Sequence, residues 1–282
     1  MHKDLPKDIV GVIQKKTEEI INEYNIINPV IKDEIFNILG KLCIVLRYPL
    51  DDDEDANGLH VKRHINGEIR HFVFINTNST LEKQIYTAAH ELGHIWDIDK
   101  KVIAETGECD YDSETIINRF AAELLMPERH FVKLVRLKCE ELGLKNGEAD
   151  IYYILRIIVS MMYSFMVPYK AVIYRLLEVG FIDEKGKQVL ENLEKGYPGI
   201  IEEIIQLENY QKLRQKNKEK SMGHLYEMLK SAKKQDILSD NRFKSICRQF
   251  DISYEAENIE GNEIPETEIS IKTMPEVNLY DE

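Results

Sequence analysis

His90-Glu91-Leu92-Gly93-His94 sets two imidazoles four residues apart with a carboxylate between them. Residues four apart on an α-helix share one face, so both imidazoles can reach a single cation. Glu91 falls one residue along from His90, near the open coordination position, where a carboxylate can take a proton from bound water. Zinc brings the pKa of such a water down to about 7, which makes a nucleophile at neutral pH. A catalytic zinc takes three protein ligands and keeps one position free. No further histidine follows at the HxxGxxH spacing, so the third ligand is sought on the next helical stretch, Ser113 to Pro127. Glu114, Asn118 and Glu123 are its candidates. Glu114 and Asn118 share a face and suit a ligand and its hydrogen-bonding partner. Glu123 points elsewhere and reads as a solvated or salt-bridging glutamate.

These residues need elements that hold them. Ser79-Thr80-Leu81-Glu82 has the capping-box pattern, predicting a helix that opens at Ser79. Ile85, Ala88, Ala89, Leu92, Ile95 and Trp96 form its apolar stripe, with the two histidines placed mid-helix. A loop of about fifteen residues then leads to the helix from Ser113, which Pro127 ends. Upstream, Asn66-Gly67 between Leu59–Ile65 and Glu68–Ile75 predicts a β-hairpin. Ile69, His71, Val73 and Ile75 face one way, Arg70, Phe72 and Phe74 the other, so the second strand is expected to pack on both sides. Residues 6–40 read as two helices, broken at Asn28-Pro29 and closed by Gly40, and Lys41–Tyr48 as a strand. Asp51 to Asp55 reads as a solvated acidic loop rather than a calcium site.

Composition narrows the class. Hydrophobic residues make up 43% and charged residues 31%, which suits a globular chain and excludes collagen-like or wholly disordered ones. Lys and Arg number 37 against 50 Asp and Glu, for a net charge of −13, which disfavours nucleic-acid binding by overall charge. Cys43, Cys109, Cys139 and Cys247 form no CxxC pair, so a reducing compartment is expected. Met1–Val10 holds no apolar signal core, and the cytoplasm is the expected location. Ile151–Tyr169 approaches the length of a membrane span but is interrupted by Arg156, Ser160, Ser164 and Pro168. It reads as a buried helix pair, with no membrane segment. Glu208–Phe250 carries 11 basic against 5 acidic residues, and 251–282 carries 10 acids and one lysine. The tail is expected to be disordered. Lys212–Lys220 reads as a solvated helix, with a phosphate- or partner-docking patch as the alternative, which the tail could mask.

With the HELGH stretch followed by Glu114-x-x-x-Asn118-Arg119-Phe120-Ala121-Ala122-Glu123-Leu124-Leu125-Met126-Pro127, the chain resembles the ImmA/IrrE family of zinc metallo-endopeptidases, over roughly residues 5–182. The resemblance implies an α+β, minimal zincin-type metallopeptidase, with a small antiparallel sheet, active-site helices and an appended, mainly helical C-terminal region. It implies zinc (Zn2+) held by His90, His94 and Glu114, Glu91 as general base, and Asn118 beside the third ligand. It also implies a protein substrate, a helix-turn-helix repressor of a mobile element, stress or toxin–antitoxin locus. A peptide is expected to add to the hairpin edge. His64, His71, Tyr86 and Tyr111 stay open as oxyanion donors. Met166–Ile182 is similar to the family's helix-turn-helix-like segment, but Pro168 stands where a capping serine is commoner. Its only basic residues are Lys170 and Arg175, so a packing role is expected and direct DNA binding is not favoured. The organisation read from the chain is a peptidase domain at 1–140, a helical subdomain at 141–207, a basic helical segment at 208–250 and an acidic tail at 251–282. The alternative to an enzyme is a non-catalytic regulator that sequesters a repressor or contacts DNA.

Overall fold

A computed structural model describes residues 5–50, 57–65, 67–107, 111–144, 149–197 and 199–253. The acidic loop at Asp51–Asp55, Cys109 and the tail from residue 254 lie outside the described residues. In chain order the elements are α1 (Lys7–Glu23), α2 (Ile35–Leu42), β1 (Ile44–Tyr48), β2 (Gly58–Ile65), β3 (Glu68–Asn76), α3 (Leu81–Ile95), α4 (Ile98–Thr106) and α5 (Ser113–Leu125). They continue as α6 (Glu128–Glu141), α7 (Ile151–Phe165), α8 (Tyr169–Glu178), α9 (Glu184–Gly196), α10 (Ile200–Leu207), β4 (Ser221–Met222), α11 (Leu225–Lys234) and α12 (Asp240–Gln249). The fold is mixed α+β, mostly helical, with one small sheet.

The expected hairpin forms, Ile65 opposite Glu68, with Gly67 at φ +84°, where a residue without Cβ is unstrained. The sheet is mixed rather than wholly antiparallel. Its order is β2-β3-β1-β4, and β1 pairs parallel to β3, Val45 opposite Val73. The reason is that β1 and β3, the two most apolar of the longer strands, take the central slots with both edges bonded. Charged β2 goes to the rim, and two chain reversals leave β1 and β3 running the same way. Val45, Val73 and Ile75 are buried on the face toward α2 and α3, whereas Phe72 and Phe74 on the other face are only half-buried.

Four local readings change in three dimensions. The helix carrying the histidines begins at Leu81, and no capping box forms: the Ser79 hydroxyl bonds Asn57, and buried Glu82 pairs with Arg214 at 2.8 Å. A buried carboxylate gains more from a guanidinium than from an exposed cap. Helix α4 occupies residues expected to be loop, its Ile98 and Val102 fully buried. Helix α2 runs through Gly40 to Leu42. The basic stretch 212–220 is not a helix. After a short 3-10 turn it runs extended along the sheet, where Lys218 N–H donates to the Thr77 carbonyl and the Thr77 hydroxyl donates to that of Glu219.

The main core runs from Ile9 to Leu213, so α7 to α10 share it with the sheet and α3. Helices α7 and α8 bend by 107° at Met166, and no single described helix is long and apolar enough to cross a membrane. A second, smaller core joins α11 and α12 through Leu225, Leu229, Phe243 and Cys247.

Candidate metal centre

Helix α3 carries His90 and His94 in its last turns rather than mid-helix. It stops at Ile95 because Asp97 adopts the left-handed conformation (φ +48°) that redirects the chain into α4. Helix α5 crosses close by. A Cβ on Gly93 would lie 3.0 Å from both Ile117 and Phe120, so the glycine between the histidines lets the two helices approach. That approach brings in the first turn of α5. Glu114 carboxylate oxygens lie 3.1 Å from His90 Nε2 and 3.4 Å from His94 Nε2, and the two Nε2 atoms are 3.1 Å apart. One donor atom from each of the three residues falls within 4.8 Å of the others.

The donor atoms fit a cation. Asn118 Oδ1 lies 3.0 Å from His90 Nδ1, and a carbonyl oxygen only accepts, so the proton sits on Nδ1 and the Nε2 lone pair faces the centre. Burial, and then the neighbouring His94, depress the His90 pKa and favour the neutral ligand form. Two imidazole nitrogens and a carboxylate, with an exposed side toward Glu114, are the composition of an open zinc site. An Asn118→Ala substitution is expected to weaken metal affinity by about 10–100-fold, measured by chelator competition. An unchanged affinity would remove Asn118 from this role.

Glu91 is 7% exposed, and burial, then the charge of Glu114, push its carboxyl up to about 7. A base with that pKa is matched to neutral operation. Strand β2 lies over this part of α3. Its face toward the helix presents Gly58 at Thr87 and Glu91, His60 at His94, and Lys62 at Asp97. A Cβ at Gly58 would stand 2.3 Å from Thr87 Cγ2 and 3.0 Å from the Phe74 carbonyl oxygen. Gly58→Ala therefore has to lift β2 away from α3. The expected cost is about 1–3 kcal/mol in thermal or denaturant unfolding, and full wild-type stability would show that the strand yields freely.

His60 is the site neighbour that sequence reading missed. Its ring centroid is 6.3 Å from that of His94, its Nε2 is 2.9 Å from His71 Nδ1, and the two rings stack. Burial first, then the charges of His71, Lys62 and His94, bring it down to about 4, so it is neutral at pH 7. The signal was there: pairing from the Asn-Gly turn puts His60 opposite Val73 and Lys62 opposite His71, on one face. Of the four open oxyanion candidates, His71 approaches the centre through His60. The Tyr86 hydroxyl is committed to the Asn118 carbonyl at 3.2 Å. His64 is exposed farther along β2, and Tyr111 packs against the main core.

Glu123 resolves as salt-bridging rather than solvated. It is 7% exposed and lies 2.9 Å from both Arg119 and Arg175. Arg175, fully buried on α8, also donates to the Met126 carbonyl and to Glu178. Burial by itself raises the Glu123 carboxyl, but Arg175 and Arg119 more than offset it and hold it below the usual range. Arg175 is thus unavailable to a phosphate, and Lys170 is left as the exposed basic residue of segment 166–182.

A family model described as the IrrE N-terminal-like domain, Peptidase_M78, matches residues 40–177. A search of curated proteins and a search of solved structures each returned no match.

Proposed function

Residues 40–177 belong to the IrrE N-terminal-like family of metallopeptidase-type domains, Peptidase_M78, and from that premise we propose that the protein is a zinc-dependent, site-specific endopeptidase. The matched stretch contains β1 through most of α8, hence every residue named at the centre. The observation that carries the reading is the meeting of His90, His94 and Glu114 from two helices beside the buried carboxyl of Glu91. A centre built of only histidines and a carboxylate would not require Glu91 next to it.

His90, His94 and Glu114 would hold the zinc, which supplies an activated water and polarises a carbonyl. Asn118 keeps His90 in the ligand tautomer. Glu91 takes a proton from the attacking water and returns it to the leaving amine. The edge strand that lies beside the centre is β2, and the substrate backbone would add to its outer edge. The far edge of β1 is already occupied by β4 and the extended stretch before it. His60, held by His71, borders that path.

The substrate we propose is a helix-turn-helix repressor in the cytoplasm, cleaved at one bond to relieve repression. The resemblance of the two motif blocks supports this choice. The experiment is to load the protein with zinc and incubate it with any helix-turn-helix repressor found encoded next to its gene, then sequence the fragment N-termini. A single new N-terminus with wild type, absent after chelation, is expected; an intact repressor would sink the substrate assignment. In parallel, about one zinc per chain is expected in wild type and loss of most of it in Glu114→Ala, by elemental analysis. Equal zinc in both would refute the three-ligand centre.

A further inference from the structure

The sheet face turned away from α3 carries an apolar surface that neither described core includes. Register aligns Ile44, Phe72 and Val61 in one row and Leu46, Phe74 and Leu59 in the next. Five are half-buried and Leu59 is 59% exposed. Contiguous exposed apolar surface of this kind marks a place where something binds. The face has basic ends. Toward the hairpin turn, Arg63 and Arg70 stand directly opposite each other, an unfavourable cross-strand pair, and Arg63 has no acidic partner among the described residues. At the other end Lys220 lies over the Tyr48 ring.

The chain itself delivers an occupant. Phe250 packs on Tyr48 with ring centroids 5.8 Å apart, and Gln249 donates to the Tyr48 hydroxyl, so α12 ends beside β1. Beyond Ser253 the sequence continues for 29 residues. Ten extended residues cover about 33 Å, more than twice the roughly 14 Å across four strands. The stretch 263–277 (EIPETEISIKTMPEV) interleaves Ile264, Ile269, Ile271, Met274 and Val277 with four glutamates. In composition, its apolar residues suit an apolar face and its acids suit arginine and lysine ends. A segment too poor in apolar residues to build its own core can still bury them on a preformed surface.

We propose that residues 263–277 dock on this outer sheet face as an intramolecular cover. The docking is independent of the peptidase reading. The test places p-benzoylphenylalanine at Leu59 in the full-length chain, with a control at Ile27, which is 95% exposed. An equal mixture of isotopically heavy and light protein is irradiated and the cross-links are mapped by mass spectrometry. Cross-links from position 59 to 263–277 within one chain are expected, at least about tenfold above the control, as for a tethered ligand at millimolar effective concentration. They are expected to fall at about 1 M salt, where the Debye length is near 3 Å, and in an Arg63→Glu, Arg70→Glu variant. Cross-links between heavy and light chains would assign the face to a second copy and overturn the proposal. Capture no greater than at the control, or unchanged by charge reversal, would also overturn it.

Discussion

If the protein is the proposed zinc endopeptidase, Glu91→Gln is expected to leave the metal bound and to lower the cleavage rate by about 10²–10⁴-fold, the usual contribution of a positioned general base. The amide keeps the volume of the carboxyl and fills the same 7%-exposed position between α3 and β2. His90, His94 and Glu114 are untouched, so zinc content measured on the same preparations stays at the wild-type level. What is lost is the ability to accept a proton, for which the buried carboxyl is tuned to about 7. Cleavage at the wild-type rate with zinc present would end the role of Glu91. Loss of zinc along with activity would instead make Glu91 a support of the centre.

Arg175→Met is expected to lower stability by about 3–5 kcal/mol, because removing one partner of a buried ion pair strips the other charge of much of its compensation. Three groups lose a donor at once, Glu123, Glu178 and the Met126 carbonyl, and the two carboxylates are left to share Arg119. For a domain of this size the melting temperature falls by roughly 6–20 °C. Replacing Glu123 by Leu in the same chain should recover part of the loss, since no buried acid then remains opposite the methionine. The pH dependence has a definite sign. Glu123 has a folded pKa below its unfolded one, so its contribution is present above the unfolded value of about 4.3 and disappears as pH falls through the folded one. Wild type therefore loses more stability than Arg175→Met between neutral pH and pH 3. Parallel curves would show that Arg119 alone holds Glu123 down.

The position of Glu123 also illustrates what a sequence conveys about charge. Its carboxylate sits nine residues from the candidate ligand Glu114 on the same helix; the spacing puts it on another face but does not say whether that face is solvated or buried. One faces an open centre and the other a buried pair of arginines, because α5 is flanked by α3 on one side and α8 on the other. Arg175 likewise, one of two basic residues in a helix-turn-helix-like segment, is fully enclosed while Lys170 is exposed.

By itself the sequence determined what depends on neighbours within a few positions. The i,i+4 pairing of His90 with His94 follows from the helical repeat, the hairpin from Asn66-Gly67, the end of α5 from Pro127, and the buried stripe of α3 from its spacing. The motif blocks added Glu114, which lies beside both histidines, and Asn118, which lies beside His90. Tertiary structure alone decided the parallel pairing of β1 with β3, the helix hidden in residues 98–106, and the extended path of 212–220. It also decided the approach of His60 to His94 and the diversion of Glu82 from a cap to Arg214. Each of these depends on partners far away in the chain. There, burial and charge pairing outweigh the local preferences, each worth about 1 kcal/mol or less, that a sequence displays directly.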